Sequence, residues 1–293
     1  MKTVRDVTPP LTETQIGKKL SSENLDELLE LWRTEQGVAK RRDLELMATA
    51  LPFPTDGNLR VLDMCCGPGD VGRGIWGRYR NSRIDCVDRD VFLISICNGI
   101  NRREGVPAEN FVRDLWNTDW HNGLRHDYDV VATANALHWF DAPRLVELFN
   151  DIFRLLRPGG VFLFVEPACA EKTFAGGFAE WKSRQPTRYS RENWERFWTR
   201  ANEILGYDHT KFLGSRESNR ISDEMPVSGW IRLLKNAGFD SIDVLLRDTD
   251  EVILASSKAA KPRSLQDERS DTHHLCGGGS GLWIGVKSQH NGW

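Results

Sequence analysis

The sequence predicts an α/β fold, and three observations carry that expectation. From Leu59 onward short apolar runs alternate with amphipathic helical stretches, a glycine-rich turn joins the first run to the first helix after it, and the last two runs are separated by only four residues. Alternating strands and helices are the pattern of a parallel sheet covered on both faces. A link of four residues permits only a hairpin, so one of the last two strands must run against the others.

The strands read as Leu59–Met64, Arg83–Asp88, Asn110–Arg113, Tyr128–Ala134, Gly160–Glu166, Asp240–Leu246 and Glu251–Ser256. Helices are expected at 70–80, 91–103, 143–156 and 227–237, the third with Leu145, Leu148, Phe149, Ile152, Leu155 and Leu156 on one face. Arg157-Pro158-Gly159-Gly160 ends that helix, because proline cannot continue it and glycine permits the turn. Two helices precede the sheet, one around Leu25, Leu28, Leu29, Leu31 and Trp32 and one from Val38 to Leu51, stopped by Pro52-Phe53-Pro54.

The organisation follows: an N-terminal helical segment at 1–57, a core at 58–167, an inserted helical cap at 168–226, the end of the sheet at 227–257 and a disordered tail at 258–293. The cap holds no clear strand but many aromatics and arginines. The tail is charged and then glycine-rich, with too little apolar surface to order itself.

Composition excludes several classes. No apolar run approaches the roughly 18 residues of a membrane span, and the first residues lack the apolar stretch of a secretory signal, so a cytoplasmic protein without a membrane partner is expected. The 39 basic and 42 acidic residues form no block of one sign, and a nucleic-acid partner would call for a basic stripe. Cysteines stand at 65, 66, 86, 97, 169 and 276 without CxxC spacing. They read as reduced thiols, with no disulfide frame and no metal site. His273, His274 and Cys276 are weak evidence for a metal.

The chemistry sits in Val61-Leu62-Asp63-Met64-Cys65-Cys66-Gly67-Pro68-Gly69-Asp70-Val71-Gly72, at the end of the first strand. Gly67, Gly69 and Gly72 match G-x-G-x-x-G, which brings backbone close to a ligand and aims helix N–H groups at it. Asp88 follows Gly69 by 19 residues, at the end of the second strand, where a carboxylate can take both ribose hydroxyls. A dinucleotide and S-adenosylmethionine both fit these features. Asp63 separates them, because a buried acid repels a pyrophosphate and attracts a cationic sulfonium amino acid.

With that loop, Val87-Asp88, Val112-Arg113-Asp114-Leu115, Ala134-Asn135-Ala136-Leu137-His138-Trp139-Phe140 and Leu156-Arg157-Pro158-Gly159-Gly160, the sequence resembles the class I S-adenosylmethionine-dependent methyltransferases, especially the small-molecule subset. The likeness covers roughly residues 25–166 and 227–257 and implies a Rossmann-like seven-stranded sheet. It implies that Asp63 and the Gly67–Gly69 backbone hold the methionine end, that Asp88 holds the ribose, that Asp114 and the Leu115 backbone hold the adenine, and that Asn135 faces the ammonium. Cys65 and Arg89 count with them as donor-contacting positions. The loop departs from the family at Cys65-Cys66-Gly67, where small residues or glycine are commoner, which leaves its first turn open.

Each position also has a plainer reading. Asp63 and Asp114 could cap the turns that follow them, and Cys65 and Cys66 could simply fill the strand end. His138 falls where donor and acceptor should meet and could serve as a base, or be a packed histidine beside Trp139. Trp194, Phe197, Trp198, Ala201, Ile204 and Leu205 lie at helical spacing and read as packing surface. Trp139, Trp181 and Tyr189 are the candidate acceptor-binding residues. The expected function is methyl transfer to O, N or C of a small, partly aromatic metabolite, leaving S-adenosylhomocysteine. The alternatives are a methyltransferase acting on protein or RNA, a non-catalytic S-adenosylmethionine-binding regulator, and a dinucleotide oxidoreductase.

Overall fold

The strands of the computed structural model form one seven-stranded sheet in the order β3-β2-β1-β4-β5-β7-β6. The structure describes residues 11–185, 191–212, 225–248 and 251–260, and only the backbone of 34–40, 191 and 193. The strands are β1 (Arg60–Met64), β2 (Arg83–Asp88), β3 (Ala108–Val112), β4 (Tyr128–Ala134), β5 (Leu156–Pro167), β6 (Ser241–Asp248) and β7 (Glu251–Ser257). Strands β1 to β5 are mutually parallel, and β7 runs antiparallel to both β5 and β6. The short final link does what was expected of it.

Side chains alternate across the sheet, so each strand feeds two cores. Leu62, Met64, Val87 and Val131 face the side covered by α5 (Ala142–Leu155) and α8 (Val227–Ala237). There Phe149, Phe162, Phe164 and Trp230 pack ring on ring, and the indole N–H of Trp230 donates to the Pro167 carbonyl at 3.1 Å. Val61, Ile84, Val130 and Ala132 face the other side, with α3 (Asp70–Arg78) and α4 (Val91–Glu104). Asp63 shares that second face with Val61, two residues away along the strand.

Three boundaries differ from expectation. The two N-terminal helices are one, α2 (Ser22–Thr49), preceded by a short α1 (Glu13–Gly17). Gly37 lies between the two apolar patterns, and a glycine costs a helix only about 1 kcal/mol relative to alanine, too little to break it. The Arg157–Gly160 turn ends the helix but also lies inside β5, as an irregularity between the Tyr128–Leu156 and Val130–Val161 pairs. A Cβ on Gly160 would meet two backbone oxygens at 2.9 Å, which requires glycine there.

The third difference is Lys258, assigned by composition to the tail. Its backbone pairs with Gly159 and Gly160, and its ammonium donates to the carbonyls of Phe153 at 2.8 Å and Leu156 at 2.7 Å. A cation there satisfies carbonyls that the end of α5 leaves without helical partners. The rest of the predicted tail from residue 261 lies outside the described residues. Among the described residues no helix is long and apolar enough to cross a membrane.

Replacing Lys258 by Met keeps the apolar stem and removes both hydrogen bonds. Urea unfolding should show the chain destabilised by about 1.5–3 kcal/mol, the range for hydrogen bonds to a charged group. An unchanged midpoint would show that water caps those carbonyls equally well.

Candidate active site

The candidate residues gather where β1, β2, β4 and β5 end. At the end of β1 the chain turns through Cys65, a non-glycine residue in the left-handed region at φ 49°, and Gly67 follows at φ 52°. The open question about this first turn is thereby answered: Cys65 adopts the conformation a glycine would take more cheaply. The loop ends at Gly69, φ 85°, which starts α3. A Cβ on Gly67 would stand 3.0 Å from the ring of Trp32 on α2, so the glycine lets helix and loop approach closely.

Carboxylates from the strand ends hold these loops. Asp88 accepts the Gly67 N–H and the Asp90 N–H, one on each oxygen and both at 2.9 Å. Each oxygen keeps a second lone pair that could take a ribose hydroxyl. Burial pushes the Asp88 carboxyl up to about 6, against the pull of those two backbone hydrogen bonds. Asp63 is wholly buried, and one oxygen accepts the Gly72 N–H at 2.7 Å in the first turn of α3.

That bond is the turn-capping role considered for Asp63, yet it uses only half of the group. The other oxygen is buried with no hydrogen-bond partner, and burial raises the Asp63 carboxyl well above the usual carboxylate range. A cationic ligand is what such a group lacks. The side-chain oxygen of Asn135, just past β4, is likewise buried and unpartnered. Asn135 also has positive φ, 54°.

The residues expected at the adenine are less tightly held. Asp114 is half-buried beyond β3 and caps its own turn, accepting the Trp116 N–H at 3.0 Å. The Leu115 carbonyl is held by the buried Arg144 at 2.7 Å. Arg89 is exposed.

The largest addition that the structure makes is Glu166, at the end of β5 and fully buried. One oxygen accepts the N–H groups of Ala136 and Leu137, at 2.7 and 2.6 Å. The other accepts the His138 N–H at 3.2 Å and lies 2.8 Å from His138 Nδ1. A carboxylate only accepts, so Nδ1 carries the proton, and in the neutral imidazole the lone pair is then on Nε2. The imidazole is thus oriented and left 16% exposed. A signal for Glu166 was available: it is the only charged residue in the apolar run from Val161 to Val165 and Glu166.

Of the candidate acceptor residues, Trp139 is 40% exposed with its ring 5.4 Å from that of His138. Trp181 is 47% exposed on α6 (Ala175–Lys182), its ring 5.8 Å from that of Phe178. Tyr189 lies outside the described residues. The aromatic stripe is packing surface, as read: α7 (Arg191–Leu205) sets Phe197 against Trp32 and Phe92, and Arg200 against Glu27. His209 follows it, its Nε2 2.9 Å from the Asp90 carboxylate. This part of the insertion therefore packs on the side of β2, next to the glycine-rich loop.

A parallel sheet whose first strand ends in a glycine-rich turn, with carboxylates beside it, defines an α/β domain built to hold a ligand at its strand ends. Residues 61–160 match the family model described as a methyltransferase domain. This match supports a class I S-adenosylmethionine-dependent methyltransferase domain over those residues.

Relatives agree. A demethylmenaquinone methyltransferase of Leptospira interrogans is 28% identical over 107 residues, 36% of this chain and 42% of that protein. A sterol 24-C-methyltransferase of Gibberella zeae is 26% identical over 187 residues, 63% of this chain and 40% of the other. This chain spans about two fifths of the length of these curated relatives. In fold it is similar to an O-methyltransferase family protein from Burkholderia thailandensis, with a TM-score of 0.50 at 15% identity, over 85% of this chain and 72% of that one.

The raised Asp88 carboxyl has a consequence for stability. A folded-state value near 6 against about 3.9 in the unfolded chain means that the native state holds the proton more tightly. Stability from this group is therefore greatest below about pH 4, falls as pH rises to about 6 and is constant above, a change of about 2–3 kcal/mol. The difference between wild type and Asp88→Asn in urea unfolding should narrow across that window as pH is lowered. A difference independent of pH would assign the group an ordinary titration.

Proposed function

We propose that this chain transfers a methyl group from S-adenosylmethionine to an O, N or C atom of a small, partly aromatic metabolite, with His138 as the base. The observation that carries the reading is the His138–Glu166 pair, together with a buried acid before the glycine loop, Asp63, one of whose oxygens has no hydrogen-bond partner. When bound, S-adenosylmethionine supplies an electrophilic methyl on a cationic sulfur.

The residues divide the work. Asp63 and Asn135 offer the methionine end their unpartnered oxygens, and the Gly67–Gly69 backbone, with Cys65 beside it, leaves room for it. Asp88 has lone pairs for the ribose, with Arg89 at the adjacent position, and Asp114 and the Leu115 backbone border the adenine. Holding two reactants in line can by itself supply about 7–11 kcal/mol of a barrier. His138 Nε2 takes the acceptor proton, and Glu166 stabilises the imidazolium that results. The exposed Trp139, and Trp181 and Tyr189 of the insertion, offer aromatic surface to a planar acceptor. The names of the curated relatives, acting on a quinone and on sterols, support an acceptor of this apolar kind.

Metabolite extracts incubated with isotopically labelled methyl donor and read by mass spectrometry should yield a labelled small molecule and S-adenosylhomocysteine. Binding without release of S-adenosylhomocysteine would instead make the chain a regulator, and label found in protein or RNA would make it a macromolecular enzyme. His138→Ala and Glu166→Gln should each lower kcat by roughly 10²-fold, with the dissociation constant of S-adenosylmethionine nearly unchanged. Equal activity at all pH values would return His138 to packing. Trp139→Ala should raise the acceptor KM, while affinity for S-adenosylmethionine moves less than about threefold, or 0.7 kcal/mol. Loss of donor affinity with unchanged acceptor kinetics would place Trp139 on the donor side.

A further inference from the structure

Three cysteines that are far apart in sequence meet beneath the glycine-rich loop. Cys66 belongs to the loop, Cys86 to the middle of β2 and Cys97 to α4, and their sulfur atoms all lie within 4.8 Å of one another. All three are buried, at 7%, 1% and 0% exposure. Around an ion with sulfur bonds of about 2.3 Å, three sulfurs in a plane stand about 4 Å apart, so little movement would close such a site.

The three sulfurs sit among polar groups, Cys66 Sγ donating to the Gly67 carbonyl at 3.4 Å and Cys97 Sγ to Asn110 Oδ1 at 3.3 Å. The Asn101 amide donates to Cys97 Sγ at 3.2 Å and reaches toward Cys86 Sγ at 3.9 Å. The buried guanidinium of Arg73 lies alongside, since a Cβ on Gly69 would touch both Cys97 Sγ and Arg73 Nη1. Ordinary close-packing of small side chains requires neither an amide donor nor a buried cation next to sulfur.

We propose that Cys66, Cys86 and Cys97 form a trigonal thiolate site for a soft, thiophilic ion of the copper(I) kind. Soft sulfur ligands select such ions over magnesium, calcium or manganese. Zinc sites usually take a fourth ligand, often water when catalytic, and these three sulfurs are shut away from solvent. On binding, each thiol releases its proton to solvent and copper remains copper(I), so no oxidant takes part. The filled site would tie the donor loop to β2 and α4. The proposal does not depend on the methyl-transfer reading.

The test uses the full-length reduced chain under anaerobic conditions, titrated with copper(I) in acetonitrile against a chromophoric competitor. One copper(I) per chain should be retained, with an X-ray absorption shell of three sulfurs, a readout that needs no variant. Cys86→Ala and Cys97→Ala should each lose the ion. Asn101→Leu should bind it roughly tenfold more weakly, as a lost partner to a ligating atom does, and Cys169→Ser should bind normally. No retention by the wild type would overturn the proposal. So would a shell containing nitrogen, or loss of the ion in Cys276→Ser, which would place it on His273, His274 and Cys276.

Discussion

Two buried carboxylates bend the chain out of the sheet at the points where the site is made. Asp88 ends β2 and takes the loop that leaves β1, and Glu166 ends β5 and takes the loop that leaves β4. In the sheet these outer strands flank the inner pair, so each loop is caught by its neighbour across one strand spacing. The residue that starts each loop, Cys65 or Asn135, is a non-glycine residue with positive φ, and these are the only two among the described residues. Left-handed backbone costs such a residue about 1–2 kcal/mol. Charge-assisted hydrogen bonds from backbone N–H to carboxylate are of the size needed to offset that cost.

The same arrangement explains the electrostatics. Asp63, Asp88 and Glu166 bring three acids together at the strand ends, where burial penalises the charged form. Glu166 is fully engaged by three backbone N–H groups and a histidine, and Asp88 by two N–H groups. Asp63 has one N–H and an orphaned oxygen. An incompletely satisfied buried acid is a standing cost to stability, and such costs persist where a ligand relieves them.

Packing adds a constraint on the insertion. Trp32 touches Gly67 from α2, α7 packs on Trp32, and His209 reaches the Asp90 carboxylate at the start of α4. The N-terminal helix and part of the insertion thus brace the glycine-rich loop.

Much of this was legible along the chain. Strands Arg83–Asp88 and Tyr128–Ala134 and helix Val227–Ala237 coincide with their predicted bounds, because each is an apolar pattern closed by a glycine, a proline or charge. Asp63, Gly67, Gly69 and Asp88 could be singled out because a parallel strand, a turn and a helix place residues of fixed spacing at one rim. Periodicity could not show that α2 is continuous through Gly37, since the cost of one glycine is small beside the burial of its flanking faces. Sequence by itself determined the alternation of elements, the hairpin at the end of the sheet and the residues at the ends of β1 and β2, all of which rest on local spacing. Tertiary structure alone decided that Glu166 orients His138, that His209 meets Asp90 and that Cys66, Cys86 and Cys97 converge. These partners are 28, 119 and up to 31 residues apart, and only the lateral order of the strands and the packing of helices on them brings the first two pairs within hydrogen-bond distance and the three sulfurs within 4.8 Å of one another.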